Sequence, residues 1–173
     1  RTGRAGALLR ALMLAALALT AACAPRVAAQ GPEMRMPAIE RGDGMVVAAE
    51  RYVTRDGLRL GLQHWDAAAP SAVIVALHGM NDYSNAFAMP APYWAGRGIS
   101  TYAYDQRGFG RSPNLGLWGG NGVMRRDLAD FVEVMRARFP GVPVYVLGES
   151  MGGAVTMSAF ASGRSEEHTS ELQ

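Results

Sequence analysis

A serine stands at the centre of a Gly-x-Ser-x-Gly pattern, with a third glycine directly after it. β-Branched and aromatic residues lead into the pattern and small helix-forming residues follow it, which predicts a strand, a sharp turn and a helix. A serine at such a turn is strained, and bulky neighbours two positions away would collide with the strand or helix. Gly148 and Gly152 remove those side chains, and Gly153 lets the helix pack close to the sheet. We therefore predict that Ser150 is a nucleophile.

The same turn would direct the peptide N–H of Met151 and the positive end of the helix toward Ser150, where an oxyanion would form. Chance occurrence is the alternative, because the chain contains 21 glycines. The strand pattern before the turn and the elements upstream favour catalysis. Serine also needs an imidazole to take its proton and a carboxylate to orient that imidazole.

Two further segments accompany the serine turn. Leu-His-Gly-Met-Asn-Asp at residues 77–82 follows one strand pattern, and Asp-Gln-Arg-Gly-Phe-Gly-Arg-Ser at residues 105–112 follows the next. In order and spacing, the three segments resemble α/β-hydrolases of the monoacylglycerol lipase, lysophospholipase and serine aminopeptidase type across residues 45–163. The resemblance implies an α/β fold with a mostly parallel sheet and helices on both faces, here ending after the nucleophile helix. It also implies hydrolysis of carboxylic esters, with monoacylglycerols or lysophospholipids as substrates.

The resemblance assigns roles to four further residues. The backbone N–H of Met80 is expected to be the second oxyanion donor, and His78 is expected to stabilise its loop rather than act as a base. Asp105 and Arg107 are expected to tie neighbouring loops by hydrogen bonds. An aminopeptidase, thioesterase or acyltransferase on the same scaffold is the near alternative. Relatives with an aspartate nucleophile are disfavoured because the turn carries a serine.

The catalytic acid and base are expected after the nucleophile, in the order serine, acid, histidine. Neither partner occurs between Ser150 and residue 163, and a triad of Ser150, His78 and Asp105 would not follow this order. The nucleophile strand would then be a bare edge of the sheet, and exposed apolar edges aggregate. We expect the 173-residue chain neither to fold stably nor to hydrolyse esters.

Hydrophobic patterns predict the remaining elements. Alternation around an Asp-Gly turn predicts a β-hairpin, and apolar runs without alternation predict strands buried on both faces. Apolar residues at helical spacing predict an amphipathic helix. In chain order the predictions are a hairpin at residues 51–65, buried strands at 72–78 and 99–104, a helix at 85–98 interrupted by two prolines, and an amphipathic helix at 121–139.

Residues 1–23 are typical of an export signal, because arginines precede an apolar run too short for a membrane span of ~20 residues. Thr-Ala-Ala-Cys, ending at Cys23, resembles a bacterial lipobox and predicts lipidation of Cys23; ordinary cleavage, for example after Ala29, is the alternative. Residues 24–44 are rich in Ala, Pro and Gly and predict a flexible tether. We therefore expect a protein of the bacterial cell envelope, anchored to the membrane or else periplasmic or secreted.

We interpret the end of the chain as a sequencing artefact. Residues 164–173 can be back-translated to DNA that resembles a common short-read sequencing adapter, so we place the domain at residues 45–163. The formal charge of +2 combines three arginines of the N-terminal segment with an acidic tail, leaving the domain nearly neutral. That balance gives no reason to expect nucleic acid as a partner.

Other functional classes find less support in the sequence. The single cysteine excludes an internal disulfide. No cluster with metal-ligand spacing and no phosphate-binding glycine loop is present, so we expect no metal and no cofactor. A hypothesis from another class is a non-catalytic envelope lipoprotein that keeps the fold as a binding module. The intact serine turn and the intact His-Gly-Met loop argue against it.

Overall fold

The computed structural model describes residues 6–7, 10, 13, 26–32, 36–40 and 50–170, with side chains as far as residue 162. The strands are β1 (Ala38–Glu40), β2 (Arg51–Val53), β3 (Arg59–Trp65), β4 (Ala72–Leu77), β5 (Ile99–Tyr104) and β6 (Val144–Gly148). The helices are a 3₁₀ helix (Ser84–Phe87), α1 (Pro90–Ala95), α2 (Asn121–Arg138) and α3 (Met151–Ser170). Among the described residues, no helix is both long enough and apolar enough to cross a membrane.

The strands form one sheet in the order β1-β2-β3-β5-β4-β6. β4 lies parallel to β5 and to β6, whereas the pairings among β1, β2, β3 and β5 are antiparallel. The sheet of the described residues is therefore mixed rather than mostly parallel, because the hairpin and β1 contribute antiparallel strands. Leu77 pairs with Gly148, so the carboxyl ends of β4 and β6 lie side by side.

Helices cover both faces of the sheet, as predicted. Neighbouring residues of a strand point to opposite faces, and β4 shows this clearly: Val73 and Val75 belong to the core under α2 and α3, whereas Ala76 belongs to a second core under the 3₁₀ helix and α1. Buried aromatic rings fill much of the first core, with Phe131 of α2 lying 4.6 Å from Tyr52, centroid to centroid. These two layers fix the height and tilt of the strand ends that carry the loops.

Most predicted elements are confirmed within one or two residues, including the hairpin, both buried strands and the amphipathic helix. The helix predicted at residues 85–98 is instead divided into the 3₁₀ helix and α1. Pro90 is the first residue of α1, where its missing N–H leaves no helical hydrogen bond unmade. Proline therefore starts a second helix here rather than interrupting one.

The structure differs in two places from the flexible tether predicted at residues 24–44. Residues 26–28 lie alongside the loop that precedes α2. The N–H of Trp118 in this loop donates to the carbonyl of Arg26 (2.7 Å), and the N–H of Ala28 donates to the carbonyl of Trp118 (2.9 Å). Further on, β1 pairs with the free edge of β2. Both segments satisfy backbone groups that would otherwise face solvent. Cys23 and most of the predicted signal lie outside the described residues.

β6 is the outermost strand of the sheet in the described residues, as expected. Large apolar side chains are exposed beside it, on β6 and on the following helix: Tyr145, Leu147, Met157 and Phe160. α3 continues to Ser170, and so extends into the segment that we interpret as an adapter artefact. The aggregation expected of such a surface stays a prediction.

Candidate active site

Ser150 lies between the end of β6 and the first residue of α3, with a φ of 48°. This is the left-handed region, which residues other than glycine rarely adopt, so the backbone is strained at the serine. A Cβ on Gly148 would lie 2.5 Å from the carbonyl group of Gly152, and a Cβ on Gly152 would overlap the carbonyl oxygen of Leu77. Gly153 is less constrained, with its nearest contact at 3.2 Å. The first two glycines are therefore sterically required by the turn.

The loop after β4 passes directly beside the serine. The N–H of Glu149 donates to the carbonyl of Leu77 at 3.0 Å, which joins the ends of β6 and β4. A Cβ added to Gly79 would lie 3.5 Å from the Cβ of Ser150. Ser150 itself is exposed. The serine therefore lies at the carboxyl edge of the sheet, open to a ligand and beside the backbone of Gly79.

Two backbone N–H groups next to the serine, those of Met80 and Met151, donate no hydrogen bond within the described part of the chain. Met151 is the first residue of α3, and first-turn N–H groups have no partner inside their own helix. Met80 follows Gly79 in the loop beside Ser150. Both donors are free to bind an acceptor, and the positive end of the α3 dipole lies at the same place.

His78 stabilises its loop, as predicted. Its ring is buried, the N–H of Gln106 donates to Nε2 at 2.9 Å, and Nδ1 lies 2.8 Å from the carbonyl oxygen of Gly79. Because Nε2 accepts a hydrogen bond, Nδ1 carries the proton and donates. Burial lowers the pKa of His78, so the imidazole is neutral. Both nitrogens are occupied, and the ring holds the carbonyl of Gly79 in place.

Asp105 ties two loops together, also as predicted. Its buried carboxylate accepts the backbone N–H groups of Ser84 and Arg111, each at 2.8 Å. Burial raises the pKa of Asp105, but these hydrogen bonds outweigh it and hold the pKa below its ordinary value. A Cβ on Gly110 would lie 2.6 Å from the carboxyl group, so this glycine is required by the close approach.

Arg107 joins the turn of the β-hairpin to α2. Its guanidinium binds both oxygens of Asp56 at 2.7 Å and both oxygens of Asp127 at 2.6 and 2.9 Å. All three side chains are at least nine-tenths buried. The hydrogen bonds from Arg107 lower the pKa of Asp56 to about 2, whereas burial raises the pKa of Asp127. The sequence indicated a loop-tying role for Arg107, but no local signal identified its two partners, which are 51 and 20 residues away.

An apolar hollow of about 360 Å³ opens beside the loop at residues 78–82. It is lined by Met80, Asn81, Phe109, Gly116, Leu117 and Trp118. A second hollow of about 100 Å³ is also lined by Trp118, together with Met151 and Val155 of α3. The loop at residues 113–120 has no periodicity that would mark a binding surface, so the sequence alone did not indicate these hollows.

Neither of the two histidine rings that the structure describes is bonded to the serine. His78 is bonded as above, and His64 of β3 contacts Asp66 (2.9 Å) and Glu50 (3.4 Å). Neither ring hydrogen bonds to Ser150. The same residues contain no group of three or more His, Cys, Asp or Glu side chains that could hold a metal ion. The described geometry thus shows a strained, exposed serine and two unpaired backbone N–H groups, with no imidazole hydrogen-bonded to the serine.

Parallel strands whose carboxyl edge carries a strained serine turn, followed at once by a helix, define the α/β-hydrolase class. Residues 68–170 match the family described as Serine aminopeptidase, S33, and the chain belongs to that family. The resemblance identified from the three sequence segments is therefore confirmed. Solved structures agree on the fold: Est1E from Butyrivibrio proteoclasticus superposes with a TM-score of 0.56 at 20% identity, covering 65% of this chain and 47% of that one.

A second structure, the α/β-hydrolase GrgF from Penicillium sp. sh18, gives a TM-score of 0.55 at 23% identity, covering 63% of this chain and 39% of that chain. In sequence, the chain is 32% identical to human monoglyceride lipase over 111 residues, which is 63% of this chain and 37% of the lipase. It is 34% identical to the monoacylglycerol lipase of Mycolicibacterium smegmatis over 110 residues, 59% of this chain and 37% of that lipase. The chain thus spans little more than a third of these relatives.

Proposed function

We propose that this protein is a serine hydrolase of carboxylic esters. The observation that carries the proposal is the left-handed conformation of Ser150 between two sterically required glycines, beside two unpaired backbone donors. A strained, exposed serine costs free energy that a purely structural turn would not need. Oxyanion donors of this kind are each worth ~2.7 to 4 kcal/mol in the transition state.

In the proposed reaction, the Ser150 oxygen attacks the ester carbonyl and loses its proton to an imidazole. The N–H groups of Met80 and Met151 bind the oxyanion, the alcohol leaves with that proton, and water then hydrolyses the acyl-enzyme. We assign the imidazole and its carboxylate to sequence that follows residue 163 in the full-length gene product. His78 is unsuited to this role because both of its ring nitrogens are occupied.

For the substrate we propose a monoacylglycerol or a lysophospholipid. The support is the resemblance described above together with sequence similarity to proteins named monoglyceride lipase and monoacylglycerol lipase. Because the matched family is described as Serine aminopeptidase, a peptide bond is the alternative to an ester as the bond that is hydrolysed. An ester is favoured because the hollow beside the site is lined mainly by apolar side chains.

Fluorophosphonate labelling of the full-length gene product tests the nucleophile, with peptide mass spectrometry to locate the label. We expect modification of Ser150, loss of labelling in Ser150→Ala, and full labelling in Ser71→Ala, which alters an exposed serine of another loop. Hydrolysis of monoacylglycerol and lysophospholipid, but not of aminoacyl nitroanilides, would support the ester assignment. A folded protein whose Ser150 stays unmodified would instead support the binding-module hypothesis.

We also propose that the protein is exported and anchored to the membrane through an acylated Cys23. The support is the arginine-rich, apolar segment that ends in Thr-Ala-Ala-Cys. Mass spectrometry of the N-terminal peptide from the membrane fraction tests this assignment. We expect a diacylated cysteine, and release of the protein from the membrane by Cys23→Ser; an N-terminus after Ala29 would contradict it.

A further inference from the structure

The hollow adjoins the loop at residues 78–82, which passes beside Ser150. Met80 contributes its backbone N–H to the oxyanion site and its side chain to the wall of the hollow. An ester carbonyl bound by that N–H would therefore have the hollow next to it. Phe109, Leu117 and Trp118 complete an apolar lining, and the volume of about 360 Å³ is near the lower end of ligand sites, ~300 to 1,000 Å³.

Trp118 lines both hollows, and its backbone is held by residues outside its own loop. Earlier parts of this loop are fixed internally, since the N–H of Gly116 donates to Gly108 and the N–H of Leu117 donates to Asn114, both at 2.9 Å. At Trp118 both backbone groups instead bond to residues 26–28, the segment described above. We call residues 26–31 the strap.

The strap continues from Trp118 across the start of α2 toward the hairpin turn. Val27 and Gln30 lie against Gly120, where an added Cβ would meet them at 3.8 and 3.7 Å. A Cβ on Gly31 would lie 3.2 Å from the carbonyl oxygen of Asp56, whose carboxylate binds Arg107. The strap thus connects the wall of the hollow to the buried ion pairs of the domain.

We propose that the hollow receives the acyl chain of the ester and that the strap, by fixing Trp118, sets the length of chain that fits. This inference rests on the proposed ester hydrolase function. An acyl chain is the occupant that the chemistry selects: the lining is mainly aliphatic and aromatic, and the opening adjoins the group that would bind the carbonyl. Trp118 cannot be displaced without breaking two backbone hydrogen bonds to the strap.

Two matched pairs of variants of the full-length gene product test the proposal. Leu117→Trp fills the hollow, whereas Leu115→Trp places the same ring at an exposed position of the same loop. Ala28→Pro removes the N–H that donates to Trp118, whereas Ala29→Pro changes the next residue, whose N–H donates no hydrogen bond within the described part of the chain. Each variant is assayed for kcat/KM on nitrophenyl esters with straight acyl chains from short to long, and for thermal melting.

We expect Leu117→Trp to lower kcat/KM for long chains by about tenfold or more while short chains are hydrolysed as before, because overfilling a packed site costs ~1 to 3 kcal/mol. Ala28→Pro should flatten the dependence on chain length, with long-chain kcat/KM changing about fivefold, as for the loss of one hydrogen bond. The control variants should keep the wild-type profile.

The outcomes separate the two proposals. If fluorophosphonate does not label Ser150 and no ester is hydrolysed, the proposed function itself fails. If Ser150 is labelled and short esters are hydrolysed, but Leu117→Trp keeps the wild-type chain-length profile, the hollow does not bind the acyl chain. If Ala28→Pro and Ala29→Pro behave alike, the strap does not control the hollow.

Discussion

Replacing Arg107 by methionine tests whether the buried ion pairs hold the hairpin turn against α2. The substitution leaves the carboxylates of Asp56 and Asp127, which are 8% and 6% exposed, without their shared cation. Breaking a buried pair by removing one partner costs ~3 to 5 kcal/mol. We therefore expect the free energy of unfolding at pH 7 to fall by about that amount. Arg107→Lys should recover part of it, because lysine keeps the charge but not the paired geometry.

The dependence of this loss on pH gives a second, independent readout. In the wild type the pKa of Asp56 is about 2, below its unfolded value of 3.8, so this carboxylate stabilises the fold above pH 4 and its contribution is lost as the pH falls through 2. Without Arg107, burial and mutual repulsion raise both carboxyl pKa values above their unfolded values. Such groups destabilise the variant most at neutral pH, so the difference from wild type should shrink as the pH falls from 7 to 5.

Denaturant unfolding of the full-length gene product, followed by circular dichroism at pH 7, 6 and 5, measures both effects. Arg136→Met is the matched control, because Arg136 and Glu133 form an exposed pair on the same helix, worth ~0 to 1 kcal/mol. A loss below about 1 kcal/mol for Arg107→Met, or one that does not change with pH, would refute the reasoning.

Three further predictions concern the turn and its neighbouring loops. Gly152→Ala should abolish fluorophosphonate labelling and lower the melting temperature, because the added Cβ would overlap the carbonyl of Leu77. The control is Gly122→Ala, where a Cβ meets nothing within 4 Å; this variant should be neutral or stabilising. Equal labelling of the two variants would contradict the prediction. The pKa of His78 is lowered in the folded state, so its contribution to stability is present above the unfolded pKa and decreases as the pH falls below that value. The free energy of unfolding, measured from pH 7.5 to 5, should therefore decrease with falling pH, and His78→Gln should remove this dependence. Asp105→Asn should cost ~1.5 to 3 kcal/mol in denaturant unfolding, since its hydrogen bonds would no longer end on a charge; an unchanged midpoint would argue against a role in tying the loops.

The central elements could be predicted because their signals are local. β4 and β5 are short apolar runs bounded by turns, and the Asp-Gly turn identified the hairpin. The serine turn was equally readable, because its steric demands fall on glycines two residues to either side. His78 and Asp105 could be placed through the resemblance, since each accepts a hydrogen bond from a residue of the same motif segments, Gln106 and Arg111 respectively.

The missed features depend on contacts between distant parts of the chain. β1 has three residues and becomes a strand only because β2 offers a free edge. The pairing of Arg107 with Asp56 and Asp127 depends on how the hairpin lies against α2, which no periodicity encodes. The hollow is formed by irregular backbone, and its wall at Trp118 is positioned by residues that resemble a tether in composition.

The strap has a consequence for the lipid anchor proposed at Cys23. A flexible tether of about 20 residues has a root-mean-square end-to-end distance of ~25 Å, so it would hold the domain only loosely to its attachment point. Only three peptide steps separate Cys23 from Arg26, whose carbonyl is bonded to Trp118, so these residues span at most ~11 Å. With Cys23 acylated as proposed, Trp118 at the wall of the hollow would be held much closer to the bilayer than a flexible tether of that length would hold it.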